Sequence, residues 1–120
     1  MMKKTLVLGG SIKPGRFSNK AIRLLTAHGH PVVSIGLKPG QVEETLIETG
    51  FLDFQDVHTV TMYLGPQNQP PYYDYILGLH PKRVVFNPGT ENAEFIRSLR
   101  AAGIEVVEHC TLVMLDSGIF

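Results

Sequence analysis

Cysteine is almost absent from this chain: Cys110 is the only one in 120 residues. That excludes an internal disulfide and suits a reducing compartment. Net charge is absent as well, because eleven basic and eleven acidic residues cancel. No global field therefore favours nucleic acid or a membrane surface, and any anion site must be local. Long apolar runs are missing. Met1-Met2-Lys3-Lys4 resembles the charged start of a signal peptide, but the apolar run behind it stops at Gly9-Gly10, too short for an export signal, and no stretch is long enough to span a bilayer. A cytoplasmic location is the expectation. Metal-ligand spacing is lacking among His28, His58, His80 and His109, and Asp53, Asp56, Asp74 and Asp116 form no paired-carboxylate pattern. No catalytic group and no metal site stand out.

What is present is one globular domain's worth of sequence, residues 1–120 with 43% hydrophobic side chains. Thr5 to Gly9 is a short continuous apolar run ending in glycine, as in a strand buried on both faces. Ser18 or Asn19 is placed to cap a helix whose inner face carries Ala21, Ile22, Leu24 and Leu25, and Gly29 ends it. Val32 to Ile35 is the second strand. Residues 36–54 read least clearly. Gln41 to Ile47 fits either a short helix or an extended excursion, and the alternation of apolar residues favours the extended form.

Val57 to Leu64, stopped by Gly65-Pro66, is the third strand, rich in β-branched residues. A helix follows at Tyr72 to Leu79, then a fourth strand at Arg83 to Phe86. The turn Asn87-Pro88-Gly89-Thr90 leads to a helix over Glu91 to Ala102 with Ala93, Phe95, Ile96 and Leu99 inward. A fifth strand covers Ile104 to Val107, and Cys110 to Leu115 is an apolar tail segment. Strands alternating with helices predict an α/β fold, a single Rossmann-like doubly wound parallel sheet with strand order 3-2-1-4-5.

In such a sheet the ligand crevice lies at the carboxyl ends of the strands, next to strand one. There the chain reads Gly9-Gly10-Ser11-Ile12-Lys13-Pro14-Gly15-Arg16, a glycine turn feeding a helix with two basic residues. Helix N-termini offer unpaired N–H groups and partial positive charge, and Lys13 and Arg16 add full charges, so a phosphate fits. The dinucleotide fingerprint needs glycines where Ser11 and Pro14 stand. The acid that would bind a ribose diol, about 20 residues on, is replaced by Gly36-Leu37-Lys38. Lysine in that place favours a phosphorylated ribose, as in coenzyme A or NADP.

The ordered set Leu8-Gly9-Gly10-Ser11 with Pro14, Arg16, Ser18 and Asn19, then Gly29-His30, Lys38-Pro39, Gly89 to Asn92 and Cys110 resembles the small stand-alone coenzyme A (CoA)-binding proteins. These are relatives of the CoA-binding domain of the succinyl-CoA synthetase alpha subunit. The resemblance implies that Gly9, Ser11, Ile12 and Arg16 lie along the pyrophosphate and phosphates and that Lys38 approaches the nucleotide end. Gly65, Pro66, Asn87 and Gly89 would flank the pantetheine path. It implies binding of CoA or an acyl-CoA, and with no catalytic group evident in the chain the expectation is binding without catalysis. Ligase activity does not carry over, since the synthetase uses a second domain with a phosphohistidine and a partner subunit. The segment after strand two, Ser34 to Pro39, also departs from the family pattern.

Two other readings stay open. One is a small enzyme using NADP, a sugar nucleotide or a CoA thioester through Ser11, Asn87 or Cys110. The other is an interaction subunit with a vestigial pocket. Apart from a small nucleotide-containing ligand, a homodimer or an unidentified protein partner is left open. Individually, His30 suits packing before a strand, Tyr72, Tyr73 and Tyr75 suit a covered surface, and Cys110 suits a small buried hydrophobe without an evident base.

Overall fold

A computed structural model describes residues 2–120. Seven strands form one sheet: β1 (Thr5–Leu8), β2 (Val32–Ile35), β3 (Gly40–Val42), β4 (Thr45–Glu48), β5 (Thr59–Met62), β6 (Arg83–Phe86) and β7 (Glu105–Glu108). Four α-helices accompany them among the described residues: α1 (Phe17–Ala27), α2 (Tyr73–Leu79), α3 (Ala93–Ala101) and α4 (Thr111–Asp116). The sheet order is β3-β4-β2-β1-β5-β6-β7, with every neighbouring pair parallel except β3 with β4.

The doubly wound α/β class is as expected, while the strand order is corrected. The run expected as strand three, now β5, pairs with β1 on the side opposite β2. The place beside β2 is taken by β4, from the poorly legible segment. Gln41 to Ile47 is extended, as favoured, apart from the turn at Glu43-Glu44. The chain crosses from β2 to the sheet edge, runs back as β3, and turns at Glu43-Glu44 into β4, which slots between β3 and β2. Counting parallel strands alone, the order is 3-2-1-4-5-6.

Alternation along the strands sorts the core into two layers. Leu6, Leu8, Val60, Met62, Val84 and Phe86 face Ile76 of α2 and Phe95, Ile96 and Leu99 of α3. Val7, Ile47 and Val85 face Ile22 and Leu25 of α1 and Met114 and Leu115 of α4. Phe95 stacks on Tyr73 with centroids 4.3 Å apart and meets Phe86 edge-on at 6.1 Å. Two details differ from expectation. Ala93 is exposed, because α3 is capped by Asn92 and its inner stripe begins at Phe95. The tail after Cys110 is helical, with Cys110 at the N-cap of α4.

Candidate functional site

β2 and β4 lie on one side of β1 and β5 on the other, so strand order reverses at β1, and sheets of this kind hold ligands in the crevice at that point, here between the loops after β1 and β5. The loop after β1 starts with Gly9 at φ +102°, a conformation that favours glycine. A Cβ on Gly9 would stand 3.0 Å from the Tyr63 carbonyl carbon. The Gly9 and Gly10 amides both donate to Ile35 O, at 2.7 and 3.0 Å. Gly10 needs glycine for a different reason. A Cβ there would fall 2.1 Å from Ser34 Oγ, which donates to Val7 O at 2.9 Å. Its missing side chain makes room for strand β2 and not for a ligand.

Beyond the glycines the loop turns outward. Lys13 N–H donates to Ser11 Oγ at 3.1 Å, Arg16 N–H to Lys13 O at 3.0 Å, and the Asn19 side-chain amide to Ser11 O at 2.9 Å. Ser18 and Asn19 do not cap α1. Arg16 is the N-cap, and both residues sit buried in the first turn, where Asn19 braces the loop and accepts from Arg23 Nε at 2.8 Å. No side chain caps this helix. The first backbone bond across its end is Lys20 N–H to Arg16 O at 3.2 Å, which leaves the preceding first-turn amides for solvent or an anion. Lys13 and Arg16 are exposed beside them, and among the described residues neither side chain has a partner.

Lys38 is exposed on the connection from β2 to β3. Two residues later, Gly40 lies so close to Ile12 that a Cβ would meet its Cγ2 at 2.3 Å. The structure thus brings the Lys38 segment against the loop after β1. Ile12 and Leu37 are apolar and 58% and 82% exposed, which gives this rim a surface for a flat ring as well as cations.

The opposite wall is built from Gly65-Pro66 and the turn after β6. Asn87 is 3% exposed and its amide is consumed by the protein: Nδ2 donates to Thr61 Oγ1 and Met62 O at 2.7 and 2.8 Å, and Oδ1 accepts from Thr111 N–H at 2.8 Å. It fastens β5, β6 and α4 together. Gly89, at φ +91°, gives its N–H to the Glu91 carboxylate at 2.9 Å, so this second turn already carries an anion of its own. Behind both loops lies Gln69, fully buried. Its Nε2 donates to Leu64 O at 3.0 Å and Thr90 O at 2.7 Å, and its Oε1 accepts from Asn92 Nδ2 at 3.0 Å. Sequence reasoning missed Gln69, Thr61 and Thr111, because a buried polar side chain carries no mark of burial in one sequence.

The Tyr63 hydroxyl, just past β5, is buried with no hydrogen-bond partner among the described residues. Burial pushes its pKa well up, with the neighbouring Cys110 adding to the effect, so the phenol stays neutral. Cys110 is half-buried and its N–H donates to His109 Nδ1 at 2.8 Å. Two cavities of about 510 and 270 Å³ lie away from this crevice, one along α1 and α4 and one at the amino end of the sheet.

The whole chain is similar to a solved uncharacterized protein at 48% identity, with 100% of this chain and 99% of that one covered and a TM-score of 0.97. It is also similar to a hypothetical protein from Pyrococcus horikoshii OT3 at 25% identity, covering 97% and 83% with a TM-score of 0.87. A protein from Thermus thermophilus at 24% identity, covering 99% and 91% at the same TM-score, shares the fold. Among curated proteins none matches. The model of the CoA binding domain family matches residues 3–116, nearly the whole of this fold including every loop around the crevice, and the chain belongs to that family.

Proposed function

We propose that this protein binds CoA or an acyl-CoA at the crevice beside β1, and that it does so as a binding module without chemistry of its own. The observation that carries the reading is the uncapped first turn of α1, flanked by Lys13 and Arg16, in a chain of the CoA binding domain family. The pyrophosphate would lie against Ser11, Ile12, Arg16 and the first-turn amides, with Gly9 and Gly10 holding the start of the loop close to its neighbours. Lys38 would meet the 3′-phosphate, and the exposed apolar rim of Ile12 and Leu37 would suit the adenine. Gly65 and Pro66 would border the pantetheine arm. In this arrangement Ser18, Asn19 and Asn87 hold the loops, and Gly89 follows at the far wall.

Calorimetric titration with CoA, dephospho-CoA, NAD and NADP tests this. CoA is expected to bind tightest, with dephospho-CoA weaker because it lacks the phosphate that Lys38 would meet. Preference for NAD, or no heat with any of the four, would refute the assignment.

A further inference from the structure

We propose that Arg23, which lies outside the candidate CoA crevice, is a positioning residue for it: its Nε–H orients the buried Asn19 amide, and through that amide the loop that would meet the CoA phosphates. The inference rests on the CoA reading. Arg23 sits on the exposed side of α1, in the groove between α1 and α4, with its side chain 46% exposed. Its effect on the site passes through Asn19.

Asn19 is fully buried in the first turn of α1, and the protein takes both ends of its side-chain amide. Nδ2 donates to Ser11 O at 2.9 Å, and Oδ1 accepts from Arg23 Nε at 2.8 Å, a contact that the i to i+4 spacing on the helix allows. Those two partners fix the amide in one orientation. Turned by half a revolution, it would set Nδ2 against the Arg23 donor and Oδ1 against the Ser11 carbonyl, two repulsive contacts in place of two bonds. Ser11 then carries the constraint into the crevice. Its Oγ accepts Lys13 N–H at 3.1 Å, and Lys13 O accepts Arg16 N–H at 3.0 Å, so hydrogen bonds run without a gap from Arg23 to the two cations beside the uncapped helix end.

The far side of the guanidinium is held as well. Nη1 pairs with Glu43 Oε2 at 3.2 Å. Glu43 stands in the turn between β3 and β4 at φ +53°, a left-handed conformation that glycine would take with less strain but without a carboxylate. An exposed ion pair of this kind adds little stability in itself. Its consequence is orientation, because anchoring one arm of a rigid planar fork fixes where Nε points.

A cation on α1 could also aid CoA through its field, and side-chain geometry separates the two effects. Glutamine carries Nε2 on Cδ, where arginine carries Nε, so Arg23→Gln keeps the donor and loses the charge. Arg23→Met loses both. Calorimetric titration of the parent and the two variants with CoA tests the proposal. Arg23→Met is expected to bind about fivefold more weakly, the size of one net hydrogen bond, and Arg23→Gln within about twofold of the parent. In the ligand-free, isotopically labelled chain, the backbone amide resonances of Ser11, Lys13 and Arg16 should shift in Arg23→Met and return toward the parent positions in Arg23→Gln. That reading does not depend on CoA. Equal losses of affinity in the two variants would assign the effect to charge, and undiminished affinity in Arg23→Met would free the loop from Arg23; either overturns the proposal. A parent that binds no CoA refutes the CoA reading, and the role of Arg23 in CoA binding with it, even where the resonances respond as expected.

Discussion

Arg16 shows how much one residue can carry here. It is the N-cap of α1, in extended conformation, and among the described residues its side chain has no hydrogen-bond or ion-pair partner. Its charge is therefore available to a ligand at little cost to the fold. Arg16→Ala is expected to weaken CoA binding by about 1.5–3 kcal/mol, the range for hydrogen bonds to charged groups, with an unchanged unfolding midpoint. Calorimetry and urea denaturation on the same preparation check both halves, and full affinity in the variant would move the phosphates away from this helix end. Gly9 and Gly10 teach the complementary lesson. Both read in the sequence as room for a ligand, but Gly10 is small because Ser34 is there, and a side chain at that position would damage the sheet first.

At the scale of elements, the sequence makes legible whatever packs against itself locally. β1, α1, β2, β6, α3 and β7 follow from apolar runs, a helical stripe and terminating glycines at 29 and 103, both at positive φ. The β3–β4 excursion has no such signature. Its strands are three and four residues long, its turn puts Glu43 at φ +53°, and β4 owes its place to the free edge of β2. One unread parallel strand was enough to displace the expected order. The cluster that joins the crevice walls was illegible for a different reason, since it depends on residues far apart in sequence meeting in the interior. Gln69→Leu is expected to destabilise the domain by about 1–3 kcal/mol, because the variant leaves the Leu64 and Thr90 carbonyls without their shared donor. CoA affinity should fall with it, as the loops at 65–66 and 87–92 lose their common brace. Urea unfolding and calorimetry read the two effects, and an unchanged midpoint would show that the network bears no strength.

Although the chain as a whole is neutral, cations gather around two histidines at the amino end of the sheet. At the amino end Lys3 and Arg83 act on both His30 and His58, His28 acts on His30 and Lys82 on His58, and Glu105 opposes them at His58. Burial is the larger cause and the neighbouring cations the smaller, and both hold the two histidine pKa values below the ordinary one. The consequence for stability has a definite sign. Unfolding restores a pKa of about 6.5, so the unfolded chain binds these protons more readily than the folded one. The stability that neutral histidines provide is complete above about pH 6.5 and drains away as the pH falls through the lower folded values. Acid also breaks a specific bond, because a protonated His30 can no longer accept the Lys3 N–H. The urea midpoint should therefore drop between about pH 7.5 and pH 5, in the window where only histidine changes charge in quantity. His30→Asn with His58→Asn retains acceptors that do not titrate and should flatten that slope. A midpoint that rises in acid, or a double variant as pH-dependent as the parent, would show that the neutral state of these two rings does not support the amino end of the sheet.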